Sequence, residues 1–222
     1  MQFDLRERLL ALESRYSDSR FAPSEVTALV RSCIRDKNVR VNTKRSNRVD
    51  LEQVVPGGAY DSGDDTDGVA CIHLDLHYHP DQQHLFLKDV YWDRVSFEIC
   101  EVIGHEYVHR DQSRRRVRNN AYSGILSEDT ATKQEQQYYG ESHEVEAYGY
   151  SIAAELICYY NGNRDCAVLT QNYQLYNRLF AADQSVIIKL DQFISKYLDK
   201  LKAVQHVKQA ARTTRRTRGS DQ

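Results

Sequence analysis

No stretch of this 222-residue chain approaches the roughly 18 consecutive apolar residues that cross a bilayer, and the amino terminus, MQFDLRERLL, has no basic stretch leading into an apolar core. Neither a membrane span nor ordinary export is expected, and a cytoplasmic location is. The five cysteines, Cys33, Cys71, Cys100, Cys158 and Cys166, are odd in number, far apart and without a CxxC pair. Such usage argues against a disulfide framework and against a thiolate zinc site, and it fits a reducing compartment. Excess charge of one sign is missing too: the formal net charge is −2, which gives no general electrostatic case for nucleic acid. No internal repeat is present.

What remains is a globular composition, 41% hydrophobic and 28% charged. A chain of this length can bury one substantial core. One domain is therefore expected over residues 1–204, with flanking helices over 1–36 and an amphipathic carboxy-terminal helix over 183–204. Residues 205–222, with Arg212, Arg215, Arg216 and Arg218, read as a basic disordered tail.

Periodicity predicts helices over Leu5 to Tyr16 and from Pro23 onward, where Ala22-Pro23-Ser24-Glu25 is a helix start. A short strand is expected over Val39 to Thr43, and an acidic, glycine-containing mobile loop from Pro56 to Gly68. From Gly68 to Tyr78 the sequence alternates, with Ile72, Leu74 and Leu76 on one face and Cys71, His73, Asp75 and His77 on the other. A strand from His84 to Asp89 is expected to pair with it as a hairpin. Trp92 to His109 is apolar around its whole helical circumference, which marks a buried helix. A polar, tyrosine-containing connection then leads to a helix over Glu141 to Tyr160 that stops at Asn161-Gly162. One more helix is expected over Cys166 to Phe180. Finally Ile187, Leu190, Ile194, Tyr197, Leu201 and Val204 recur in steps of three and four, the stripe of a helix packed on another helix. That stripe serves the chain's own body or self-association.

The buried helix contains His105-Glu106-Tyr107-Val108-His109, a complete HExxH. Residues four apart on a helix share one face, with about 5–6 Å between Cβ atoms, so both imidazoles can reach one ion. Glu106 lies about 100° further round, where its carboxylate can take a proton from a metal-activated water without ligating. Two histidines and a glutamate on an apolar helix need partners to offset their burial, so the histidines are read as metal ligands, or else as satisfied core residues. Zinc ordinarily takes three protein ligands at a catalytic site. RDQSRRR, after His109, has neither glycine nor histidine at the spacing of an extended HExxHxxGxxH. His143-Glu144-Val145-Glu146 opens the next helix and offers three candidates for the third ligand.

The chain here resembles the gluzincin class of HExxH zinc metallopeptidases, in which a glutamate on a second helix completes the site. Glu144-x-x-Ala147-x-x-Tyr150-Ser151 is similar to the E-x-x-A-x-x-F-A pattern of ImmA/IrrE-like peptidases, and less so to the E-x-x-A-D pattern, where Tyr148 replaces Asp. The resemblance spans roughly residues 95–158. It implies an α+β, zincin-like fold with a small, mostly antiparallel sheet packed on the HExxH helix. It also implies His105, His109 and Glu144 as ligands of one zinc ion, Glu106 as general base, and hydrolysis of a protein or peptide substrate in a small cytoplasmic enzyme of bacterial or phage type. Glu146 and His143 stay open as rivals to Glu144.

Other readings follow from the same residues. HExxH defines a metal and a base but not the leaving group, so a zinc hydrolase of a non-peptide substrate is the competing enzyme. A zinc-containing scaffold is a third reading, against which Glu106 argues, because a structural site needs no base. Tyr138, Tyr139, Tyr148 and His143 are candidates for stabilising an anionic intermediate. His73, Asp75, His77 and His79 share a strand face that could hold a second metal, line the cleft, or simply be solvated. Arg114, Arg115, Arg116 and Arg118 read as a solvated surface cluster, with no aromatic interleaving to favour nucleic acid.

Overall fold

The computed structural model describes residues 3–16, 18–63 and 70–218. The chain is α+β, with helices and small mixed sheets. It gathers into two compact units, Met1–Val117 and Arg118–Gln222, where one domain was expected. Residues 117–129 form neither helix nor strand, so the apolar segments before and after them collect into separate cores.

The first unit runs α1 (Phe3–Tyr16), β1 (Arg20–Phe21), α2 (Pro23–Cys33), β2 (Val39–Arg45), β3 (Val54–Asp61), β4 (Cys71–Tyr78), β5 (Leu85–Phe86) and α3 (Asp89–Arg114). Pro23 sits in the first turn of α2, and the Ala22 N–H donates to Glu25 Oε2 at 2.7 Å, satisfying the helix entry that the sequence marked. β4 is the central strand, parallel to β2 and antiparallel to β3. Its alternation is the predicted one: Ile72, Leu74, Leu76 and Tyr78 are buried against Leu5 and Leu9 of α1, Val26 and Val30 of α2, and Trp92, Val95, Ile99 and Ile103 of α3. Each such side chain contributes roughly 1.5–3 kcal/mol through burial, and the indole N–H of Trp92 donates to Leu9 O at 2.9 Å. Together these contacts hold α3 against the sheet.

Three expectations are corrected here. The strand near residue 85 does not form a hairpin with β4; Leu85 and Phe86 pair with β1, because both sides of β4 are taken. The sheet is mixed rather than mostly antiparallel, since β2 and β4 run parallel. Residues 56–61, expected in a loop, belong to β3, an edge strand on which Pro56 removes no needed donor. Of that expected loop, residues 64–69 lie outside the described residues.

The second unit comprises α4 (Thr130–Gly140), α5 (Ser142–Tyr160), α6 (Ala167–Leu179) and α7 (Gln184–Arg218). α5 ends with Asn161 at φ 51° and Gly162 at φ 74°, and the Gly162 N–H closes on Leu156 O at 2.8 Å. Packing of α7 on α5 dominates the unit: Leu190, Ile194, Leu198 and Leu201 are buried, while Val204 is exposed. The stripe thus serves the chain's own body. α4 was not anticipated, and its signal is Asp129, whose Oδ2 accepts the Thr132 N–H at 2.8 Å as an amino-terminal cap. Residues 205–218, expected to be disordered, continue α7. Alanine, lysine, glutamine and arginine are strong helix formers, and no glycine or proline interrupts them before Gly219. Residues 219–222 lie outside the described residues.

Candidate metal centre

α3 carries the HExxH motif, and neighbouring groups lock its orientation. The Tyr107 hydroxyl donates to Asp36 Oδ2 at 2.6 Å. Arg110 lies 3.4 Å from the same oxygen and 4.1 Å above the Tyr107 ring centroid. Burial pushes the Asp36 carboxyl up, but the Tyr107 hydrogen bond, the Asn38 N–H and the Arg110 charge outweigh it and hold the group below its ordinary value. Asp36, in the connection from α2 to β2, therefore resists rotation of α3 at the motif.

His105 and His109 share one face of the helix, with ring centroids 4.8 Å apart and planes at 70°. Nδ1 of His109 is 3.1 Å from Oε1 of the buried Gln112. An amide oxygen only accepts, so the contact puts the proton on Nδ1 and presents Nε2 as a metal donor. The pair and its supporting amide fit a borderline-soft ion such as zinc.

Glu106 is buried at 7% exposure. Edge strand β3 passes directly over it: a Cβ on Gly58 would lie 2.6 Å from Val102 Cγ1 and 3.0 Å from Glu106 Oε1. Only glycine allows so close an approach, so Gly58 serves strand-on-helix packing rather than a loop. The backbone register places Gly58 opposite Leu74, on the face turned to α3. Cys71, His73, Asp75 and His77 therefore occupy the opposite face and do not line the motif. On that face Asp75 accepts from Asn42 Nδ2 at 2.8 Å, and His77 lies beside Gly57.

The second unit holds the remaining candidates. Glu144, in the first turn of α5, is buried, and its Oε1 is 3.3 Å from His143 Nε2. The Tyr138 hydroxyl donates to it; burial, and then the charge of Glu144, push that phenol up to about 12. Tyr148 hydrogen-bonds in turn to Tyr138 and is raised far above its ordinary value, chiefly by burial. Tyr139 packs edge-on against Tyr138 and Tyr176 and tilted against Tyr148. Tyr138, Tyr148 and Tyr176 are held above the ordinary phenol value, chiefly by burial, and so remain donors near neutral pH. Sequence proximity named Tyr138, Tyr139, Tyr148 and His143 without ranking them; the fold of α4 against α5 brings Tyr138 into a hydrogen bond with Glu144, and His143 lies beside the same carboxylate. Glu146, the rival ligand, is engaged elsewhere, accepting from Lys196 Nζ at 2.6 Å and Tyr197 OH at 3.0 Å on α7.

No protein-family model matches the chain, and neither does any curated protein or solved structure.

Proposed function

We propose that the protein is a zinc-dependent peptidase in which His105 and His109 hold one zinc ion, Glu144 supplies the third protein ligand, and Glu106 is the general base. The observation that carries the reading is the setting of Glu106: a buried carboxylate beside two metal-competent imidazoles, directly beneath an edge strand. A base held out of solvent and next to the ion serves catalysis, whereas a structural zinc site has no use for one. When bound, zinc would polarise a substrate carbonyl and acidify the attacking water. Glu106 accepts the proton of that water and passes it to the leaving amine nitrogen, so one carboxylate serves as base and then acid.

Support for a peptide substrate comes from β3. It is an edge strand, paired with β4 on one side, and at Gly58 it lies against Glu106. An extended chain pairing with that edge would bring a backbone carbonyl to the ion. Support for Glu144 over Glu146 comes from their partners. Glu144 is oriented by the Tyr138 hydroxyl, as ligating carboxylates are by neighbouring donors, while Glu146 is bound to a lysine of its own unit. A zincin-like α+β arrangement follows from the same reading.

The test is incubation of a diverse peptide library with zinc-loaded protein and with Glu106→Gln. The proposal expects cleavage products from the wild type and a rate lower by about 10²–10⁴ in the variant, with zinc content unchanged. Products formed equally by both proteins, or by neither, would reject it.

A further inference from the structure

We infer that Asp61, Cys71 and His73 form a second metal site, on the sheet face opposite the motif helix, for zinc or another divalent cation that accepts a thiolate. The register builds it: Asp61 of β3 stands directly across from Cys71 of β4, and His73 follows two residues along on the same face. Their ligand atoms all lie within 4.8 Å of one another, and Cys71 Sγ is 3.2 Å from His73 Nε2.

Bonds of about 2.3 Å to sulfur and about 2.0–2.1 Å to nitrogen or oxygen place the ligand atoms of a tetrahedral ion roughly 3.3–3.6 Å apart. The Cys71–His73 separation is already close to that edge, and rotation about side-chain bonds is enough to bring the Asp61 carboxylate in. A thiol hydrogen-bonded to an imidazole would account for Cys71 and His73 alone; it gives no reason for a carboxylate facing the same thiol. Asp61 is also steadied as a ligand would be, since its Oδ1 accepts the Gly63 N–H at 2.8 Å while a carboxylate has capacity for further bonds. Cys71 is 4% exposed, which shields a coordinated sulfur from oxidants. On binding, the thiol proton goes to solvent and His73 ligates as neutral imidazole. Three protein ligands leave the fourth position to water. The ion would join β3 to β4 where the chain between them leaves the sheet.

Cysteine spacing cannot reveal such a site, because its donors come from two strands rather than from a CxxC. The site does not depend on the peptidase reading, and a sulfur ligand distinguishes it from the motif helix. The experiment is titration of metal-free, reduced, full-length protein with cobalt(II), following the sulfur-to-cobalt charge-transfer absorption in the near ultraviolet. The band should appear in the wild type and in His105→Ala/His109→Ala alike, saturate with one cobalt per chain in His105→Ala/His109→Ala, and vanish in Cys71→Ser. His73→Gln and Asp61→Asn should weaken cobalt binding at least tenfold with unchanged circular dichroism, which decides the matter if Cys71→Ser fails to fold. Absence of the band from the wild type at excess cobalt, its persistence in Cys71→Ser, or unchanged affinity in both conservative variants would overturn the proposal.

Discussion

Glu106 and Gly58 act as a pair, because the proposed base owes its position to the absence of a side chain above it. Gly58→Ala would press a methyl group onto Val102, a residue with little rotamer freedom in a helix, and onto the Glu106 carboxylate. The expected outcome is a stability loss of about 1–3 kcal/mol and a fall in kcat of roughly 10²-fold from misplacement of the base, measured by urea denaturation and peptide turnover with zinc content unchanged. Tyr107 offers a separate check. Asp36 titrates below its ordinary value in the folded protein, so its contribution to stability is present above the unfolded value of about 3.9 and is lost as pH falls through the folded one. Tyr107→Phe removes part of that depression. It should cost about 1–2 kcal/mol at pH 7, with the difference from wild type shrinking in strong acid; a difference independent of pH would contradict the assignment.

At the level of elements, α5 and α7 meet most closely at Gly149, where a Cβ would lie 2.5 Å from Phe193 Cβ and 3.3 Å from the Ile194 backbone nitrogen. Backbone cannot give way as a side-chain tip can. Gly149→Val should therefore destabilise the second unit by about 1–3 kcal/mol or more, read as a lowered thermal midpoint, whereas substitutions at the exposed Ile188 should be near neutral. The same elements show how far the sequence could be read. Helices α2 and α7 were legible from apolar periodicity, α3 from apolar residues all round it and α5 from its Asn161-Gly162 stop, because these patterns are local. The strand partners were not, because pairing of β4 with β2 and β3, and of β5 with β1, is decided by contacts distant in sequence. β3 was hidden by Pro56, Gly57 and Gly58, residues that read as a turn yet here serve an edge strand lying close on a helix. α4 was hidden because Gln136 is its buried residue and little else in it is apolar. His105, Glu106 and His109 were legible as a motif; the supporting roles of Gln112, Asp36 and Tyr138 required the fold.

For the whole molecule, Glu144 is the ligand of the proposed centre that the HExxH motif does not itself supply. Its neighbours make the alternatives separable, since Glu146 is held by Lys196 and Tyr197 and its loss should disturb packing rather than metal. The most direct measurement is zinc content by mass spectrometry on the wild type, His109→Ala, Glu144→Ala and Glu146→Ala, each loaded with zinc and freed of excess. The account predicts one equivalent fewer in His109→Ala and in Glu144→Ala, and the wild-type content in Glu146→Ala. A wild type that takes up no zinc, or variants at positions 109 and 144 that hold as much as the wild type, would contradict it.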